Sequence, residues 1–180
     1  EFRRVLFRSK GHRLKYDKSK QKVRPTQDRV KESLFSILGD ISGLSILDLF
    51  CGTGSLGIEA LSRGASGAVF VDKSTNWVKE NLKALNLNEK IVKSSTAQFL
   101  KRTTGKYDII FMDPPWKLIE EYELALKLIY EFDILAKGGL IVCEHRNEFQ
   151  YDNQVWSVIS THQYGETKIT IIRKQSENPS

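Results

Sequence analysis

The chain has 180 residues, 40% of them hydrophobic, and a formal net charge of +6. That is enough apolar material for one domain with a real core, and too little chain for two large ones. No run of about 18 apolar residues is present, so no membrane span is expected, and Val5-Leu6-Phe7 is too short for the apolar part of a signal peptide.

The chain opens on a basic stretch. Residues 1–31 hold 12 of the 28 Lys and Arg and three acids, a charge of +9, against −3 for the remainder. A concentrated basic arm is the footprint of a polyanion partner; a solvated tail is the plainer alternative. Residues 1–26 are read as this N-terminal extension, residues 27–175 as the folded domain and residues 176–180 as a frayed tail. Arg24-Pro25-Thr26 punctuates the chain, and Thr26 is the expected N-cap of an amphipathic helix through Arg29–Leu38. Val30, Leu34, Ile37 and Leu38 share its apolar face, and Gly39 and Gly43 close it.

Strands and helices then alternate. The pattern predicts strands at Ser45–Phe50, Ala68–Val71, Ile91–Lys93, Tyr107–Met112 and Leu140–Glu144. Between them it predicts helices at Leu56–Arg63, Asn76–Leu87, a short turn through Phe99, and Leu118–Leu135, the last ended by Gly138-Gly139. Val155–Thr161 and Thr167–Arg173 read as a final antiparallel pair. Such alternation implies a mostly parallel sheet, here of seven strands, with helices on both faces. With its terminal pair the pattern resembles the methyltransferase variant of the Rossmann-like α/β sheet.

Asp48-Leu49-Phe50-Cys51-Gly52-Thr53-Gly54 follows the first strand and opens a helix. Its glycines allow a sharp turn and a close approach of backbone to ligand. Asp48 repels a pyrophosphate but suits a cation, and S-adenosylmethionine carries a sulfonium and an ammonium. Asp72 ends the next strand, 20 residues beyond Gly52, where an acid reaches ribose hydroxyls. Phe50, Thr53 and Lys73 join Asp48, Gly52, Gly54 and Asp72 as candidate cofactor residues. A nucleotide-binding dehydrogenase is the rival reading; it ranks lower because the full G-x-G-x-x-G order is missing.

Asp113-Pro114-Pro115-Trp116 ends a buried strand at the sheet edge where open α/β folds place ligands. An exocyclic amine on a base is a weak nucleophile, since its lone pair is delocalised into the ring. Two acceptors for its N–H bonds free that lone pair: the Asp113 carboxylate and the Pro114 carbonyl. Pro115 stiffens the turn, and Trp116 offers a face on which an extruded base stacks. The methyl group then moves in line, which asks for positioning rather than acid–base power or a metal.

Arg24-Pro25-Thr26 with Arg29–Phe35, the run Asp48–Ala65, Asp113-Pro114-Pro115-Trp116 and Tyr164-Gly165-Glu166-Thr167 resemble the RsmD family of bacterial 16S rRNA guanine-N2 methyltransferases. The resemblance covers about Lys10 to Arg173. It implies methylation of a guanine, the family's guanine(966), in 16S rRNA of assembling 30S subunits by a cytoplasmic monomer without metal or membrane. It further implies that Asp48, Gly52 and Gly54 face the methionine end of the cofactor, and that Asp72 holds its ribose. Ser95-Thr96 replaces the family's usual Asp or Asn followed by Ala beside the adenine, and Trp116 replaces a Tyr or Phe. Glu1–Ser9 departs from the family's usual start and reads as a truncated or foreign leader. The RNA-binding expectation therefore rests on Lys10–Lys31, with Arg13, Lys15, Lys18, Lys20, Lys22, Arg24 and Arg29 as phosphate contacts. Adenine-N6 methylation of DNA or RNA is the second reading, and a non-catalytic RNA-binding shell the third.

The remaining reactive side chains read blandly. Cys51 and Cys143 are too few for a disulfide framework and fit a reducing compartment. His12, His145 and His162 are too scattered for a metal site, although His145 stands close enough to a strand end to edge the active site. Trp77 and Trp156 read as packing residues, and Glu120-Glu121 as a solvated helix start.

Overall fold

A computed structural model describes residues 14–15, 25–115 and 117–175. In chain order the elements are α1 (Pro25–Leu38), β1 (Ser45–Leu49), α2 (Ser55–Ser62), β2 (Gly67–Asp72), α3 (Asn76–Ala84), β3 (Lys90–Lys93), α4 (Thr96–Leu100), β4 (Tyr107–Met112), α5 (Ile119–Glu131), β5 (Leu135–His145), β6 (Trp156–Tyr164) and β7 (Thr167–Lys174). The seven strands form one sheet in the order β3-β2-β1-β4-β5-β7-β6. The first five are parallel, and β7 runs antiparallel to both β5 and β6. This is a Rossmann-like α/β sheet with helices on both faces and an antiparallel pair at one edge, as the alternation of elements leads one to expect.

Side-chain alternation along the strands divides the core in two. Ile46, Phe70, Ile109, Phe111 and Val142 meet Leu34 and Phe35 of α1, Ile58 and Leu61 of α2, and Val78 and Leu82 of α3. Leu47, Leu49, Ile110, Met112 and Cys143 meet Phe99 and Leu100 of α4 and Tyr122, Leu126 and Ile129 of α5. Both faces of β1 and β4 are therefore covered. That is why these strands read as near-continuous apolar runs, broken only by Ser45 and Asp48 in β1 and Asp108 in β4.

Helix ends differ from the sequence reading, and the cause is common to them. Helix α3 stops at Ala84, not Leu87, because Asn86 takes a left-handed backbone (φ 55). Leu87 N–H then reaches Leu82 O at 2.9 Å and Asn86 N–H reaches Lys83 O at 3.1 Å, a Schellman closure. Helix α5 ends the same way at Glu131: Asp133 has φ 50, and Ile134 N–H donates to Ile129 O at 3.0 Å. Neither closure uses glycine, so the expected stop at Gly138-Gly139 is wrong. Those glycines lie inside β5, where the β4 register jumps from Tyr107↔Leu135 to Ile109↔Leu140. A Cβ on Gly139 would stand 2.8 Å from Ala136 O and 2.9 Å from Asp108 O, so the irregularity needs glycine. At the other end, α1 begins on Pro25 itself, which suits a first helical position; Thr26 lies inside the first turn and is not the cap.

Candidate active site

The carboxyl ends of β2, β1, β4 and β5 lie side by side in the sheet, and the acids Asp72, Asp48, Asp113 and Glu144 come from those ends. The turn after β1 is unusually bent. Phe50, Gly52 and Gly54 have φ of 57, 52 and 81. A phenylalanine in the left-handed region is strained, and such strain persists where surrounding structure enforces it. The enforcing bonds are Cys51 N–H to Val71 O at 3.1 Å and Gly54 N–H to Cys51 O at 2.7 Å.

Asp48 is 2% exposed, and its Oδ2 accepts the Gly57 N–H at 2.9 Å. That bond exists because Gly57 has no side chain: a Cβ there would lie 2.4 Å from Phe70 Cε1 and 3.0 Å from Asp48 Oδ2. Burial raises the Asp48 carboxyl from its ordinary 3.8 to about 7; the Gly57 bond opposes the rise and the Asp72 charge adds to it. A buried carboxylate with one backbone donor is short of positive charge, the condition a cationic ligand would relieve. Asp72 is organised differently. Its Oδ2 accepts Gly52 N–H at 2.9 Å and its Oδ1 accepts Ser74 N–H at 3.0 Å, so the acid braces the glycine turn. Thr53 is half-buried and Lys73 exposed. Ser95 caps α4 by accepting the Gln98 N–H at 3.2 Å, leaving its own hydroxyl hydrogen to donate. Thr96 is 4% exposed and turned into the protein.

Asp113 and Pro115 reach solvent, while Pro114 is buried. Although Asp113 is open to solvent, protein crowds it from enough directions that lost hydration is the main influence on its carboxyl. That crowding, then the charges of Glu144 and Asp48, push its pKa well up, and Arg146 opposes them. Burial likewise raises Glu144, again against Arg146. The Tyr122 hydroxyl donates to the Glu144 carbonyl and so ties α5 to the end of β5. Burial, with Asp113 as the next cause, raises the Tyr122 phenol. Trp116 lies outside the described residues.

His145 is the last residue of β5, at this sheet edge. Its ring pairs with Thr170 Oγ1 at 2.8 Å and Asn147 O at 3.0 Å, and Phe149 packs edge-on against it. Both nitrogens thus have structural partners on the α5 side. Cys51 and Cys143 are buried free thiols, each held protonated by burial. Among the described residues, no three His, Cys, Asp or Glu side chains converge as metal ligands, and no helix is long and apolar enough to cross a membrane.

Of the expected RNA contacts, Lys15 and Arg29 are exposed; Arg13, Lys18, Lys20, Lys22 and Arg24 lie outside the described residues, as does the tail 176–180. Two contacts that the sequence did not announce enter here. Lys31 Nζ donates to Ser55 Oγ at 3.2 Å and joins α1 to the start of α2. Asn81 is fully buried and donates to Thr53 O at 3.0 Å. A polar residue at the apolar spacing Val78, Asn81, Leu82 was the available signal for it.

Comparison with known proteins places this geometry. Residues 5–173 match the family described as Conserved hypothetical protein 95. The chain is 39% identical to the "Putative rRNA methyltransferase YlbH" of Bacillus subtilis, over 96% of this chain and 99% of that protein. It is 38% identical to the "Ribosomal RNA small subunit methyltransferase D" of Haemophilus influenzae, over 68% of this chain and 67% of that protein. Among solved structures, "Putative methyltransferase yhhF from Escherichia coli" superposes with a TM-score of 0.75 at 32% identity, over 86% of this chain and 89% of that one.

Proposed function

Since the chain belongs to the RsmD family, the group matched as Conserved hypothetical protein 95, we propose that it transfers a methyl group to the exocyclic N2 of a guanine in 16S rRNA. It is an S-adenosylmethionine-dependent methyltransferase acting on ribosomal RNA; N2 of guanine, and the family's position 966 within assembling 30S subunits, are the finer reading. One observation carries it. The strained glycine turn with its buried acid and the Asp113-Pro114-Pro115 corner end adjacent strands, near enough that the Asp48 charge acts on Asp113.

The residues present fit the cofactor. S-adenosylmethionine, when bound, supplies a methyl group on a positively charged sulfur. Asp48 offers a buried carboxylate to that cationic end, and Gly52 and Gly54 let the backbone come close. Asp72, which braces the turn, would hold the ribose. Ser95 offers a hydroxyl hydrogen to the adenine, a role the buried Thr96 side chain leaves to its neighbour.

Asp113 and the Pro114 carbonyl accept the two N–H bonds of the target amine and turn its lone pair outward. As the methyl–sulfur bond gives way to the new N–C bond, the Asp113 carboxylate would take up the amine proton. Trp116 stacks on the extruded base. Arg13, Lys15, Lys18, Lys20, Lys22, Arg24 and Arg29 hold RNA phosphates, a role that predicts strongly salt-dependent binding. The test incubates the protein with methyl-labelled S-adenosylmethionine and, separately, double-stranded DNA, naked 16S rRNA and 30S subunits from cells lacking the enzyme. Label is expected in the RNA substrates. Label confined to DNA as N6-methyladenine would favour the adenine reading instead.

A further inference from the structure

Asn81 sits in the middle of α3 on its buried face, fully enclosed, between Val78 and Leu82 of the core. A polar amide in that position must find partners, and it finds them on two separate segments. Its Oδ1 accepts the backbone N–H of Lys15 at 2.6 Å, and its Nδ2 donates to the backbone carbonyl of the same residue at 3.0 Å. The second Nδ2 hydrogen serves Thr53 O at 3.0 Å. Both amide hydrogens and the amide oxygen are thereby engaged. Leu14 packs against the same core cluster. The Lys15–Glu80 ion pair at 3.4 Å is exposed and adds little. Leu14 and Lys15 are thus seated on α3, Lys15 by its main chain, through the side chain that also holds the turn between Gly52 and Gly54.

We infer that Asn81 is a positioning residue that couples the RNA-binding arm to the cofactor turn, so that each ligand strengthens the binding of the other. The inference rests on the functional reading above, which puts the cofactor on the Gly52–Gly54 turn and RNA on the arm. A buried amide tolerates the loss of a partner badly. An arrangement of the turn that keeps Thr53 O on Asn81 therefore favours the arrangement in which Lys15 is seated, and the reverse holds equally. Coupling between two binding sites is reciprocal by necessity. A cofactor that fixes the turn in this form tightens RNA, and RNA that fixes the arm tightens the cofactor by the same factor.

The experiment measures the Kd of the full chain for purified 16S rRNA with and without saturating S-adenosylhomocysteine, and the Kd for S-adenosylhomocysteine with and without RNA. Four proteins are compared: wild type, N81L, K15A and K15P. In the wild type each Kd should fall at least about fivefold when the other ligand is present, the lower end of ordinary coupling. K15A drops the charge but keeps the backbone N–H, so RNA binds more weakly while the ratio persists. K15P removes the N–H that Asn81 Oδ1 accepts, and there the ratio should fall to about one, as in N81L. K15P keeps the test decisive if N81L does not fold, because it leaves the buried position untouched. A ratio near one in the wild type overturns the coupling, and so does a wild-type ratio in K15P. If the wild type bound neither ligand by itself, the functional reading would fall first and the coupling with it.

Discussion

Replacing Asp48 by Asn tests whether that carboxyl sacrifices stability for cofactor binding. Asparagine keeps the oxygen that accepts the Gly57 N–H at 2.9 Å and removes the charge. The Asp48 carboxyl stands at about 7 in the fold against 3.8 in an unfolded chain. At about 1.4 kcal/mol per tenfold change in proton affinity, ionising it inside the fold costs up to about 4 kcal/mol. A folded-state pKa above the unfolded value means the protonated form is the stable one. The penalty is absent below pH 3.8, grows as the pH rises, and is complete above about 7. An amide N–H2 without a partner costs about 1–3 kcal/mol at every pH. Asp48→Asn should therefore be neutral or harmful near pH 4 and stabilising by about 1–3 kcal/mol at pH 8. Urea unfolding without cofactor, on both proteins across this range, gives the difference directly. At pH 8 the same variant should bind S-adenosylmethionine at least about tenfold more weakly, or about 1.4 kcal/mol. A stability difference that stays flat from pH 4 to 8 would refute the reasoning.

Asp113→Ala should abolish methyl transfer while calorimetry still detects cofactor binding; retained transfer would remove Asp113 from the mechanism. Because the Glu144 charge raises the Asp113 carboxyl, Glu144→Gln should move the rising limb of kcat against pH toward lower pH, and an unmoved limb in a folded variant would show the two acids to be independent. Gly57→Ala would put a methyl group 2.4 Å from the buried Phe70 ring. It should cost about 1–3 kcal/mol in chemical denaturation and weaken cofactor binding through displacement of Asp48.

Much of the sheet was legible because both faces of β1 and β4 are covered, and covered strands announce themselves as apolar runs. The Asp48 turn was legible for a related reason: its glycines carry positive φ that other side chains resist. Helix ends were harder, since Asn86 and Asp133 take the left-handed position without glycine. The glycines at 138 and 139 served a strand irregularity that depends on the distant Asp108 carbonyl, and no local pattern reports that. Asn81 was missed for the opposite reason. Its type broke the apolar spacing of α3, but its two partners lie 66 and 28 residues away. Glu144 shares a site with Asp113 only through the pairing of β4 with β5. Asp113-Pro114-Pro115 could be placed at a strand end from sequence, whereas Glu144, whose charge raises the Asp113 carboxyl, could not.

The most direct test of the account is nucleoside mass mapping on 30S subunits from cells lacking the enzyme, before and after treatment with this protein and S-adenosylmethionine. One new N2-methylguanosine in 16S rRNA is the predicted result, lost with Asp113→Ala. A new N6-methyladenosine, or no new methylated nucleoside despite bound cofactor and RNA, would contradict it.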